Sequence, residues 1–447
     1  MLKKVLSYGF IEAFAKGLNK LIVFVLPFFL TDVDSFGMVG LIISIEVILP
    51  FISILGLERA ILRFYAKKDE FKSFEKTILS VVNISHVILL FLCSLCYISG
   101  EDSLFGIKIF PDLCLVILLV YLQSINTLYL NFYRVSEHHK KYFRNRAFLQ
   151  LFKFFMVILL VYVTKSYLGY VIGGCIAALL TNILFGSFRS ITKWDINTKT
   201  FLSLISFSWP FIFHSLAGNI LGNADRFVIQ KYMNLEDVGV YTLAYSFASS
   251  IVFAFLGITV YLEPLIYKED DFDKRNKLLD NLVVYLTIAG LIAFIGLYMI
   301  AEYLLPHLYN DSYSEAFKLI PLLAVSFIGQ PFYLKANYSL IYNRKTFTVA
   351  TISIISATLN ILLNLMLVPR YGLLAAVYST IFSNIFQFLL FTFIASRPGI
   401  KRDTFDLLVL SCIIIVYSME YISVVSLIFS IIIFVFYRAK GNVFKHV

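Results

Sequence analysis

Apolar residues recur along this chain in long runs, separated by short polar stretches. Fourteen runs are legible, at 8–29, 37–62, 77–98, 113–133, 147–163, 169–188, 205–229, 239–263, 278–300, 319–340, 347–368, 372–394, 405–417 and 422–437. Many approach the roughly 17–25 residues with which a helix crosses a bilayer. No period-2 alternation recurs at the roughly ten-residue spacing of a membrane barrel. The pattern predicts an all-α, polytopic membrane protein with about fourteen transmembrane helices. The last two runs are short, and whether both span the membrane or form a tight hairpin is left open.

The polar connections orient these spans. With the N-terminus inside, 27 of the 38 Lys and Arg fall in inner connections and 5 in outer ones. Basic residues concentrate on the cytoplasmic side, so both termini are expected there. The same distribution accounts for the net charge of +10. It marks loops that face an anionic leaflet, with no need for nucleic acid.

Composition agrees with this reading. The chain is 60% hydrophobic and 15% charged over 447 residues, against about 45–50% and 25% in soluble domains. Glu12, Lys16 and Lys20 interrupt the first apolar run, and no small-x-small cleavage site follows. The start is therefore read as a retained first helix and not a signal peptide. Cys93 and Cys96 form "CSLC" inside an apolar run. With no other Cys or His nearby in sequence they read as packing residues, and no metal site is expected. No G-x-x-x-x-G-K-[ST] motif is present, so ATP is not expected to drive the chain directly.

An internal repeat stands out. "DSFGMVGLIIS", residues 34–44, matches "EDVGVYTLAYS", residues 236–246, at a constant offset of 202. An acidic residue, a Gly, a Leu and a Ser coincide, and each stretch opens a long span. Spans 1–6 and 7–12 then read as parallel repeats of six, a plan common in secondary transporters. The expected division is an N-lobe over 1–190, a C-lobe over 203–395, and a helix pair with a tail over 404–447.

Three motifs carry a family resemblance. "GNADRFVIQKYMNLEDVGVYTLAYS" places Asp225 and Arg226 at the end of span 7, followed by G-x-Y-x-x-A. "NLMLVPRYGLLAAVYST" follows a turn of the form N-x-x-L-x-P-x-Y-G-x-x-G-A-A, with Ala375 in place of a Gly. "GLERAILRFYA" closes span 2. In these stretches, and over roughly residues 8–395, the chain resembles the polysaccharide exporter family of the multidrug/oligosaccharidyl-lipid/polysaccharide superfamily, and in particular Wzx-type O-antigen flippases. The resemblance implies two six-helix lobes around a V-shaped cavity that opens alternately to each side. It also implies a substrate, an undecaprenyl-diphosphate-linked oligosaccharide carried across a bacterial inner membrane. Membrane lipids, a polysaccharide polymerase and chain-length machinery are the expected partners.

Ionisable residues inside spans are costly, so they usually face a cavity or a partner. Glu12, Lys16 and Lys20 share one face of span 1 at i, i+4 and i+8. Lys16 and Lys20 are read as a cationic stripe for the diphosphate; the alternative is a Glu12–Lys16 pair with a polar contact for Lys20. Glu46, near mid-span, either pairs with Lys20 or binds a coupling proton. Arg59, Lys153 and Lys335 lie at shallow depth, as cavity contacts or as snorkelling anchors. Asp225 and Arg226 sit near the outer end of span 7 and point about 100° apart around the helix. They are read as an outer gate, each with its own partner, or as a polar cluster at the headgroups. His86 and His214 are read as satisfied interior histidines. Pro210 and Pro264 are candidates to kink or end helices.

The leading function is a flippase, with no catalytic residue and no cofactor. A proton, a sodium ion or the membrane potential would drive it. The alternative is a MATE-like, ion-coupled antiporter of small molecules or drugs. A membrane enzyme is the third class. Its best polar cluster, His307, Asp311 and Glu315 in "HLYNDSYSE", reads more simply as a solvated turn.

Overall fold

The computed structural model describes residues 2–64, 71–187, 194 and 196–395. These residues form helices in the order expected. They are α1 (Leu2–Val25), α2 (Val33–Ser53), α3 (Leu57–Phe64), α4 (Phe71–Ile98), α5 (Cys114–Val135), α6 (His139–Thr164) and α7 (Leu168–Leu184). Then follow α8 (Thr198–Asn223), α9 (Asp225–Tyr232), α10 (Leu235–Ala248), α11 (Val252–Lys268), α12 (Phe272–Met299), α13 (Leu305–Leu308), α14 (Ser314–Val325), α15 (Gln330–Tyr342) and α16 (Thr346–Ala395). Among the described residues seven helical stretches are long and apolar enough to cross a membrane, and eight if α14 and α15, bent by 41°, form one span. The chain is a multi-pass, all-α membrane protein. The two final expected spans, 405–417 and 422–437, lie outside the described residues.

One expected single span is a broken helix. The run 37–62 divides into α2 and α3 at Leu55 and Gly56, whose φ values are 55° and 66°. Ala224, between α8 and α9, keeps a helical φ of −69° and ψ of −24°, and α10 and α11 join through a 3-10 turn at Ser249–Ile251 into one apolar stretch. Hydropathy does not register the break at Leu55 and Gly56, because the backbone turns without a change in side-chain polarity. Conversely, α16 covers two expected spans. It reverses at Gly372, whose φ of 64° and ψ of −146° are not helical. That is the Pro-x-Tyr-Gly turn of the third motif.

Helix starts follow ordinary capping. Asp32 accepts from the Ser35 amide at 2.6 Å, Asn197 from Thr200 at 3.1 Å and Asp271 from Lys274 at 2.9 Å. Each satisfies an amide that lacks an intrahelical acceptor. In the turn before α7, Tyr167 donates to the Asp112 carboxylate at 2.6 Å. Burial, and then that bond, push the Tyr167 phenol up to about 12. Packing between helices uses small residues, as expected where lipid removes most of the hydrophobic drive. On α7, a Cβ at Gly169 would lie 2.7 Å from the Val161 amide nitrogen of α6, and one at Gly173 would lie 2.8 Å from Val157 Cα.

The described chain forms two compact units. The first joins Met1–Leu243 with Ser353–Ala376, and the second joins Ala244–Ile352 with the chain from Val377. The first has an apolar cluster of Ile54, Leu57, Ile78, Leu79, Ile125 and Leu128, drawn from α3, α4, α5 and the turn before α3. The second has one of Phe255, Leu262, Ile266, Leu282 and Tyr338, from α11, α12 and α15. The connection between α4 and α5 folds as a hairpin, β1 (Ser103–Leu104) against β2 (Ile107–Lys108), with Ser103 opposite Lys108.

Candidate functional site

The intramembrane charges fall into separate clusters. On α1, Glu12 accepts from Tyr142 Oη at 2.6 Å and from Arg146 Nη2 at 2.9 Å. The alternative of a Glu12–Lys16 pair is therefore replaced: the partners of Glu12 come from α6. Lys16 is exposed and carries no hydrogen bond or ion pair among the described residues. Lys20, one turn on, lies within electrostatic reach of Arg226 on α9. Helix α1 begins at Leu2, so Lys20 is about 27 Å along it at 1.5 Å per residue.

Glu46 forms a second enclosed cluster. Its carboxylate accepts from Lys153 Nζ at 2.5 Å, Gln123 Nε2 at 2.6 Å and Tyr170 Oη at 2.6 Å. Four helices, α2, α5, α6 and α7, supply one group each. Lys153 also lies over the Tyr170 ring, 5.3 Å from its centroid. The cation that meets Glu46 is Lys153, not Lys20. Lys153 is only 6% exposed, enclosed by protein on α6, which extends back to His139. In the second unit, Lys335 is buried and donates to Asp280 Oδ1 at 2.6 Å, while Tyr338 reaches Glu263 at 3.4 Å.

Asp225 and Arg226 stand where α8 gives way to α9. They are 1% and 3% exposed, so both are enclosed by protein. As the helix geometry predicted, they take different partners. Asp225 accepts from Tyr241 Oη at 2.6 Å and from Asn364 Nδ2 at 2.8 Å. Arg226 donates from Nε to Thr242 Oγ1 at 3.0 Å, and from Nη1 to Asn223 Oδ1 at 3.0 Å and to the Gly222 carbonyl at 3.3 Å. The pair thus ties α8, α9, α10 and α16 together.

Beside this joint, the two repeat stretches touch each other. A Cβ on Gly37 would lie 1.9 Å from the Leu235 carbonyl oxygen and 3.1 Å from the Gly239 amide nitrogen. One on Gly239 would lie 2.6 Å from the Val33 carbonyl oxygen and 3.2 Å from the Gly37 amide nitrogen. Val33 and Leu235 are themselves repeat equivalents. A Cβ on Gly40 would lie 2.2 Å from Oγ1 of Thr242, its equivalent and the partner of Arg226.

Of the remaining candidates, the side chains of Arg59, His214 and Pro210 lie outside the described residues. Pro264 lies inside α11. His86 bonds the Val82 carbonyl through Nδ1 at 2.8 Å and packs on Tyr121, as an interior histidine does. The residues that sequence reasoning missed are the neutral partners, Gln123, Tyr142, Tyr170 and Tyr241, together with Arg146 and Asp280 at span edges. The neutral ones carry no signal in an apolar run. Arg146 and Asp280 were legible as charges, but the assumed boundaries counted them as connection or helix end.

The model of the family described as polysaccharide biosynthesis protein matches residues 1–261. An uncharacterized membrane protein of Methanocaldococcus jannaschii is 25% identical over 262 residues, 54% of this chain and 61% of that protein. The match therefore spans less than two thirds of that relative. Among solved structures, the lipid II flippase MurJ in an inward closed conformation superposes with a TM-score of 0.67 at 15% identity, over 98% of this chain and 99% of that one. A multidrug resistance MATE family transporter of the MOP superfamily, inward-facing, superposes with a TM-score of 0.63 at 13% identity, over 88% and 98%. At these identities the likeness is one of fold.

Proposed function

The chain belongs to the polysaccharide biosynthesis protein family, and from that premise we propose that it is a flippase for an undecaprenyl-diphosphate-linked oligosaccharide, an O-antigen or similar surface-polysaccharide repeat unit. It would work in a bacterial inner membrane with both termini cytoplasmic. Its lobes, 1–190 and 203–395, would open alternately to the two leaflets, and no bond would be made or broken. The observation that carries this reading is Lys16. Lys153 and Lys335 are committed to Glu46 and Asp280, whereas Lys16 is an exposed cation on α1. An ammonium held at that depth suits a diphosphate, with Lys20 one turn further on. Arg59 belongs to the same proposed cation set. Glu46, Asp225 and Arg226 are the coupling or gating groups, with a proton, a sodium ion or the membrane potential as the drive. A sugar polymerase and chain-length machinery would take the product on the far side.

The test is Lys16→Gln and Lys20→Gln in a strain that lacks its own lipid-linked oligosaccharide flippase. Surface polysaccharide should fall while protein levels stay normal. Undiminished export with both lysines replaced would sink the proposal.

A second reading is an ion-coupled antiporter of small molecules or drugs, in line with the fold it shares with a multidrug resistance MATE family transporter. The enclosed carboxylates Glu46 and Asp225 favour it, since cation exchange needs buried acids. Drug resistance conferred without any effect on surface polysaccharide would select this reading.

A further inference from the structure

We propose that the β1–β2 hairpin is a latch on α9, gripping it through Phe105 and Gly106 and releasing it when this part of the fold opens. The inference rests on the alternating-access reading in one respect: a latch has a use only if the region it holds moves.

The turn of the hairpin is Phe105-Gly106, with φ of 53° and 79°. Two-residue hairpin turns with both φ positive favour Asn-Gly or Asp-Gly. A bulky aromatic in the left-handed region is an outlier, and such strain persists only where surrounding contacts over-determine it. Core burial does not explain it here, because Phe105 is 65% exposed. What the conformation achieves is a grip on α9. The Phe105 ring lies 5.5 Å from the ring of Phe227 at 56°. The backbone at Gly106 lies so close to α9 that a Cβ would fall 2.5 Å from Gln230 Cγ. The stem is anchored: Ile107 is fully buried, and the Ile109 amide bonds the Asp102 carbonyl at 2.9 Å.

Helix α9 is built to be held this way. It has eight residues and follows α8 across Ala224. Phe227 and Gln230, at i and i+3, share one face and meet the hairpin. Asp225 points away from that face, into its bonds with Tyr241 and Asn364. The hairpin and the buried polar network therefore clamp α9 from opposite sides. The polar network is enclosed and held by hydrogen bonds, whereas the aromatic contact is exposed at Phe105. The hairpin is the side that lets go.

The test uses the full chain with its five cysteines replaced, and spin labels on Glu101→Cys and Lys231→Cys. It is reconstituted in phosphatidylethanolamine–phosphatidylglycerol vesicles, and the distance between labels is measured. A short-distance population and a longer one are expected. Phe105→Asn keeps a residue that tolerates positive φ but removes the ring. It should raise the ratio of long to short by roughly two- to tenfold, as expected for loss of an aromatic pair. Gly106→Ala should shift it in the same direction. A single short distance that neither variant changes overturns the latch, even if the vesicles translocate a prenyl-diphosphate oligosaccharide. Two populations that shift as predicted, in vesicles that translocate no such lipid, support the latch and remove the flippase reading.

Discussion

Gly37 and Gly239, 202 positions apart in the chain, meet backbone to backbone, each occupying the space that a side chain on the other would need. The contact is symmetric, since Gly37 faces the Leu235 carbonyl and Gly239 faces its equivalent, Val33. A Cβ at 1.9 Å from a carbonyl oxygen has no rotamer by which to escape. Gly37→Ala must part α2 from α10 or strain both. Overpacking of this kind costs about 1–3 kcal/mol. Gly296→Ala meets nothing within 4 Å and should be neutral or mildly stabilising, as helix propensity dictates. Thermal unfolding of the two variants in the same lipid or detergent checks the contrast. Equal melting temperatures would show that the crossing is loose.

The symmetry extends to the helix starts. Asp32 caps α2 through the Ser35 amide, and Asn234, 202 residues on, accepts from the Asp237 amide at 2.8 Å. The Ser35 amide bond holds the Asp32 carboxyl below the usual carboxylate range. A depressed carboxyl stabilises the fold at pH above its unfolded value, about 4, and this contribution is lost as pH falls through the folded value. Asp32→Asn copies the second repeat and should remove the acid sensitivity of the α2 start while keeping the cap. Asp32→Ala should cost about 1 kcal/mol at neutral pH. Amide exchange at Ser35, followed from pH 7 to 3, distinguishes the three chains. An acid response retained in Asp32→Asn would assign the effect elsewhere.

Which of these features the sequence disclosed follows from what hydropathy measures. The repeat was legible because Gly37 and Gly239 recur with an acidic residue, a Leu and a Ser at one offset. That the two stretches touch was not, because a repeat fixes equivalence and not contact. The separate partners of Asp225 and Arg226 followed from 100° per residue. Their burial did not, because the helices that enclose them are set by tertiary packing, which hydropathy does not measure. "HKKYFRNR" reads as a connection, yet the backbone is helical from His139, since Lys and Arg are good helix formers. Gln123 and Tyr170 were invisible as partners because neither carries a charge.

The Glu46–Lys153 pair yields an asymmetric prediction. Both side chains are nearly inaccessible. Removing one leaves the other buried and uncompensated, typically costing 3–5 kcal/mol, whereas replacing both by apolar groups of similar volume is often neutral or stabilising. Glu46→Leu and Lys153→Met should therefore each destabilise strongly, and the double variant should recover most of the loss. Thermal unfolding of the four chains decides it. Additive losses would mean that Gln123 and Tyr170, not the ion pair, dominate the cluster.

Arg226 offers a test of the joint between α8, α9 and α10. Its fork reaches Thr242, Asn223 and the Gly222 carbonyl at once. A Lys keeps the charge but presents a single ammonium on a flexible stem, so the exchange is not conservative at such a site. Losing charge-assisted bonds at a buried position should cost about 1.5–3 kcal/mol. Thr242→Val removes the hydroxyl that Nε uses while leaving the shape that faces Gly40. If the Arg226–Thr242 bond holds the joint, each substitution removes part of what the other removes. The double variant should then be less destabilised than the sum of the singles by at least about 0.5 kcal/mol, the scale seen for residues in one network. Strict additivity would place the role of Arg226 in its bonds to α8 alone and leave α10 held by the glycine crossing.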